Sequence, residues 1–191
     1  MNAYLVIYFI IGYAIWIIVP IRQFGQKYFL FFLTLLTGDI LTLITREAFH
    51  SRSNIFYLIF GILCFISVQE KRNSRIIKII VMLLSAASII IEYKSLGYKY
   101  EFILISICNL LLFFKFLKHF IINFSVERKF NIFFACLVFY EILAVTKLLN
   151  IVSSLVNAAV YFDTATFVQM VIGIFFCIYK QDDKKMQVSM K

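Results

Sequence analysis

Three carboxylic acids, Asp39, Glu141 and Asp163, lie inside long apolar runs. An ionisable group in such a setting is costly, and it normally faces a bundle interior or an aqueous cavity. Polar companions stand close in sequence to each acid. Thr42 is one helical turn from Asp39, Tyr140 adjoins Glu141, Gln169 follows Asp163 by nearly two turns, and Asn109 occupies the middle of another apolar run. On residue type alone, four kinds of chemistry are open to this set. Carboxyls and amides can form a cation or proton pathway, or give directional hydrogen bonds to a small ligand or lipid. A carboxylate pair can do general acid and base work. Protonated acids and amides can also simply hold helices together, at about 1 kcal/mol per hydrogen bond.

Other chemistry is excluded by what the chain lacks. It has no Gly-rich phosphate loop, no Gly-x-Ser-x-Gly, no His-Glu-x-x-His, and no serine, histidine and acid set in one compartment. Arg46-Glu47-Ala48-Phe49-His50-Ser51-Arg52 is one residue short of a ribonuclease Arg-x4–6-His spacing, and His50 reads as an interfacial histidine. His119 follows Lys115 and Lys118 at the end of an apolar run, where snorkelling accounts for all three. Cys64, Cys108, Cys136 and Cys177 stand singly in apolar runs without metal-ligand spacing, so no metal and no cofactor is expected. The last apolar run has no interior lysine for a retinal Schiff base. Ser85-Ala86-Ala87-Ser88 gives a small-residue face suited to close helix packing.

The elements that would position these residues follow from composition. Of 191 residues, 63% are hydrophobic, 18% aromatic and 15% charged, and the mean hydropathy is +0.93. These values lie outside the range of soluble domains. Apolar runs predict an all-α, polytopic membrane protein with seven spans, at 4–20, 28–45, 54–68, 76–91, 102–117, 130–149 and 158–179. Residues 1–179 then form a single seven-helix transmembrane domain, with a basic cytoplasmic tail over 180–191. No cleavable signal is evident, and the first run is expected to remain as a helix. The spans leave no room for a soluble catalytic domain.

Charge sets the expected orientation. With seven spans, Arg46, Arg52, Lys94, Lys99 and Lys147 fall on one side, and the other fourteen of the nineteen basic residues fall on the opposite side. Basic residues accumulate in cytoplasmic connections when loops are short. The expected placement is therefore multi-pass in the cell (cytoplasmic) membrane, N-terminus out and C-terminus in. The densest basic stretch, Lys71, Arg72, Arg75 and Lys78, becomes a cytoplasmic surface for a protein partner or a second copy. It lacks the length and aromatic interleaving of a nucleic-acid arm, so nucleic acid is not expected as a partner. The second and sixth spans run outward and the seventh inward, which puts Asp39, Glu141 and Asp163 at similar depth. They are expected to line one polar cavity opening outward.

Two resemblances accompany this reading. Seven short spans, Gly38-Asp39 late in the second, and Phe130, Phe133, Phe134 and Phe139-Tyr140-Glu141 around the sixth resemble small uncharacterised seven-helix bacterial membrane proteins, some encoded beside signalling genes. Gly38-Asp39-Ile40-Leu41 is similar to the Gly-Asp pair followed by leucines in the lysoplasmalogenase-like family, which implies an intramembrane hydrolase. That family has eight spans and a later Ser-Asp pair; this chain has seven and Phe162-Asp163-Thr164 in its place. Size and hydrophobicity also match membrane accessories of RNA-guided phage-defence systems. The expected function is a non-enzymatic regulatory or accessory protein that senses a small ligand or lipid, with an ion or solute transporter, a defence accessory and a hydrolase as alternatives.

Overall fold

A computed structural model describes residues 3–49, 55–69, 74–93, 98–126, 128–153, 157–183 and 186–189. Among them the fold is all-α, with seven helices. These are α1 (Ala3–Arg22), α2 (Phe29–Phe49), α3 (Ile55–Ser67), α4 (Ser74–Tyr93), α5 (Tyr98–Ser125), α6 (Ile132–Ser153) and α7 (Ala158–Ile178). Three apolar segments, Lys99–Ser125, Ile132–Ser153 and Val160–Ile178, are long and apolar enough to cross a membrane. Shorter apolar helical stretches cover Ile10–Arg22, Phe29–Thr45 and Phe56–Ser67.

Helix lengths depart from an even set of spans. At 1.5 Å per residue, the 28 residues of α5 reach about 42 Å, whereas the 13 of α3 reach about 20 Å. The fifth run therefore continues as helix well past Leu117. The sixth begins later than its hydropathy suggests, because Lys129–Asn131 forms a strand, β1, before α6. Its partner is β2 (Gln187–Ser189), paired antiparallel with Phe130 opposite Val188. The segment after α7 thus folds back onto the α5–α6 connection.

Local signals explain the element ends. Pro20 lies near the end of α1, and Gly25 takes a left-handed φ of 80° in the turn to α2. The Asn131 side chain accepts from Phe134 N at 3.3 Å and opens α6. Asn157 does the same for α7 through Val160 N at 3.4 Å.

The packing order defines the architecture. α1 packs on α2, α2 on α3, α3 on α5, α5 on α6, α6 on α7, and α7 returns to α1. Six helices therefore close a ring. α4 lies against α3 and α5 and joins the rest through a cluster of Leu58, Ile62, Leu84, Leu104, Ile105 and Cys108. In the small-residue stretch of α4, Ser88 is buried and donates to its own Leu84 O at 2.7 Å.

One end of the ring is solid. Tyr28 in the turn before α2, Phe31 and Phe32 of α2, Phe116 of α5, Phe133 of α6 and Phe176 of α7 are all at most 1% exposed. Edge-on pairs such as Phe31–Phe116 at 5.2 Å fill the interior, a favoured arrangement for aromatic quadrupoles. His119 stacks on Phe134 at 5.6 Å, joining this core where snorkelling was expected. Gln23, fully buried, staples the same end: its amide donates to Phe176 O at 2.9 Å and Tyr179 O at 2.7 Å, and its Oε1 accepts from Gln181 N. At the far end, Tyr8 Oη donates to Asp163 O. α1 and α7 therefore run parallel, as the first and last of an odd number of alternating helices must.

Candidate functional site: a cavity inside the helix ring

Away from the aromatic core, the ring encloses a cavity of about 380 Å³ lined by residues from all six of its helices. Among the described residues, α4 contributes none of the lining. Contributing positions recur at helical spacing, with Phe102, Ile105, Asn109 and Leu112 on α5 and Glu141, Ala144, Leu148 and Ile151 on α6. Trp16, Leu35, Cys64, Leu112 and Tyr140 line the cavity and also pack into the aromatic core, so they form its floor. Trp16 and Tyr140 meet there at 5.2 Å between ring centroids.

Of the residues singled out from sequence, Asp39, Glu141, Tyr140, Asn109 and Gln169 all line this space. Asp163 and Thr42 do not. The Asp163 side chain is exposed on the outside of α7, one residue and 100° of helix beyond the lining residue Phe162. Its depth was read from the span, and its rotation about the axis excludes it. Thr42 is buried, but its hydroxyl donates to Gly38 O at 2.8 Å within α2. Of the basic set, Arg75 and Lys78 are exposed on α4, while Lys71, Arg72 and the interfacial His50 lie outside the described residues.

The residue that sequence reasoning assigned elsewhere is Lys147. Counted among the loop charges, it is instead a half-buried member of α6 whose ammonium lies in the cavity. It donates to Thr166 Oγ1 at 3.2 Å and Gln169 Oε1 at 3.1 Å, and stands 4.1 Å from the centroid of Phe162. Those three partners share one face of α7. Asp39 lines the same cavity as Lys147. A signal was present in the sequence: Lys147 lies inside an apolar run, six residues after Glu141, with no helix breaker between them.

Glu141 is the most enclosed acid among the described residues, at 1% exposure, and it borders the cavity. Neither Glu141 nor Asp39 has a side-chain hydrogen-bond partner among the described residues. Gly38 sets the place of Asp39. A Cβ at Gly38 would fall 2.7 Å from Phe60 Cβ, so the missing side chain is what lets α2 approach α3 beside the acid. The four cysteines are free. Among the described residues, no three His, Cys, Asp or Glu side chains converge to hold a metal ion.

Fold and site together define an all-α protein with three helices long and apolar enough to cross a membrane, and a polar cavity within its helix ring. No protein-family model, curated protein or solved structure matches this chain.

Proposed function

We propose that this chain is a seven-span protein of the cell membrane, N-terminus out and C-terminus cytoplasmic, acting as a non-enzymatic, ligand-responsive accessory to a protein partner or a second copy of itself. One observation carries the ligand reading. A closed helix ring holds a cavity of small-molecule size whose buried acid, Glu141, has no partner from the described residues. Outer helix faces carry Ile10, Ile18, Leu30, Ile44, Phe114, Phe139, Phe167 and Ile174, a surface suited to lipid and unsuited to water. The basic asymmetry of the sequence supports the orientation, which would open the cavity outward and put the aromatic core, Arg75 and Lys78 at the cytoplasmic side. The aromatic core closes the ring below the cavity, which favours binding over passage.

The hydrolase reading keeps one observation in its favour, the presence of Asp39 and Glu141 in the same cavity. A reporter fused after Lys191 should be active in the cytoplasm, and the protein purified in mild detergent should retain a stoichiometric partner or a defined homo-oligomer. Reconstituted protein should neither pass cations nor cleave lysolipids. Cation flux lost in Asp39→Asn would establish a transporter instead, and lysolipid hydrolysis lost in the same variant would establish an enzyme.

A further inference from the structure

The donors and acceptors lining the cavity are out of balance, and the imbalance has a sign. Lys147 is the cation among the described lining residues; two of its three N–H donors are engaged by Thr166 and Gln169, and Phe162 covers it. Glu141 and Asp39 lack hydrogen-bond partners among the described residues. What the cavity offers a visitor is therefore two carboxyl groups without hydrogen-bond partners, which take up negative charge when a cation arrives beside them. A buried carboxylate without a partner is strongly unfavourable, and an incoming cation with N–H donors relieves it. The walls near these acids are aromatic, including Tyr13, Trp16, Tyr57 and Tyr140, and aromatic rings attract organic cations.

We infer that the cavity binds a small organic ammonium ion, a protonated primary amine on an apolar or aromatic body, with its N–H donors turned to Glu141 and Asp39. The inference rests on the ligand-site reading above and names the ligand class. A divalent metal fits less well, because hard cations take six or more oxygen ligands and this lining is chiefly apolar and aromatic. A carboxylate ligand would have to compete with Gln169 and Thr166 for Lys147 while facing two acids. The volume of about 380 Å³ lies toward the lower end of small-molecule sites and suits one compact molecule.

The chain carries its own reporter, since Trp16 is its single tryptophan and lies in the cavity floor. The full chain in lipid nanodiscs would be titrated with phenethylammonium, with 3-phenylpropionate and with phenylalanine, following Trp16 emission. A saturable change with phenethylammonium is expected, weakened at least tenfold in Glu141→Gln and unchanged in Asp163→Asn, whose side chain lies outside the cavity. Should Glu141→Gln fail to fold, as judged by circular dichroism and gel filtration, Asp39→Asn carries the same comparison. Saturation by 3-phenylpropionate or phenylalanine without saturation by phenethylammonium would overturn the ligand class and leave the ligand site standing. Unchanged phenethylammonium affinity in a folded Glu141→Gln or Asp39→Asn would overturn the assignment to these acids. Failure of all three compounds to saturate would overturn both the inference and the ligand-site reading.

Discussion

Lys147 Nζ donates to Gln169 Oε1 at 3.1 Å, joining α6 to α7 inside the cavity. The link fixes where Lys147 stands relative to Asp39 and Glu141. It also gives Gln169, buried in α7, a charge-assisted donor.

Lys147→Met should keep the stem volume and remove the ammonium. Gln169 Oε1 would lose its donor, and leaving a buried polar group unsatisfied costs about 1–3 kcal/mol. Thr166 is cushioned, because its hydroxyl also donates to Phe162 O at 2.7 Å. The melting temperature in detergent should fall, and the double variant Lys147→Met with Gln169→Leu should recover part of the loss. A double variant no more stable than Lys147→Met would show that this contact is not the source of the effect.

Gly38→Val should be among the most damaging single changes in the ring. Its Cβ would sit 2.7 Å from Phe60 Cβ and 2.9 Å from Phe60 Cγ, atoms too near the backbone to swing clear. Separating α2 from α3 should cost about 1–3 kcal/mol as overpacking and displace the adjacent Asp39. Gly173→Val, whose Cβ would meet Ile15 Cγ2 at 2.8 Å between α1 and α7, should destabilise similarly without moving Asp39. Thermal melts of both variants, with phenethylammonium affinity as the reporter of the Asp39 position, would separate the two effects. A Gly38→Val protein as stable as the parent would contradict the close α2–α3 approach.

The sequence made the helices legible because most apolar runs are closed by residues that stop a helix or carry charge, while the sixth and seventh are parted only by the mildly polar stretch 150–157. The run expected over 54–68 is the helix Ile55–Ser67, and that expected over 158–179 is Ala158–Ile178. Position along each apolar run was also legible, and the two acids it pairs, Asp39 and Glu141, line one cavity. Rotation about the helix axis was not, and Asp163 shows the consequence. Lys147 escaped because counting basic residues by side treats every lysine as a loop residue, whereas its stem and head are held inside the bundle by α7. Strands of three residues have no periodicity to read, so β1 and β2 left no trace in the hydropathy.

Gln23→Leu tests the staple at the closed end. Gln23 is fully buried and makes three hydrogen bonds to the end of α7 and the segment after it. Removing the amide takes the Gln23 partner from two carbonyls and from the Gln181 N–H, at about 1–3 kcal/mol for a buried group left without its partner. Cleavage by trypsin at Lys180, next to Tyr179, should accelerate in the variant while the helices stay intact by circular dichroism. An unchanged cleavage rate would mean that this segment is held by other contacts, with the β1–β2 ribbon as the alternative anchor.

That ribbon supplies the last prediction. Phe130 and Val188 face one another in antiparallel register, and directly opposed residues in such a pair have Cα atoms about 4.5–5.5 Å apart, within disulfide reach. With the four native cysteines replaced by alanine or serine, Phe130→Cys combined with Val188→Cys should cross-link under mild oxidation, seen as a faster-migrating band that dithiothreitol reverses. Lys129→Cys with Val188→Cys, one position out of register, should cross-link less. Because β1 precedes α6 and β2 follows α7, the bond can form only if the start of α6 and the end of α7 share one end of the bundle. Closing this long loop should also stabilise the protein by up to about 4 kcal/mol where the geometry is unstrained. Absence of the cross-link in folded protein would remove the ribbon and the return of the C-terminal segment to the α5–α6 connection.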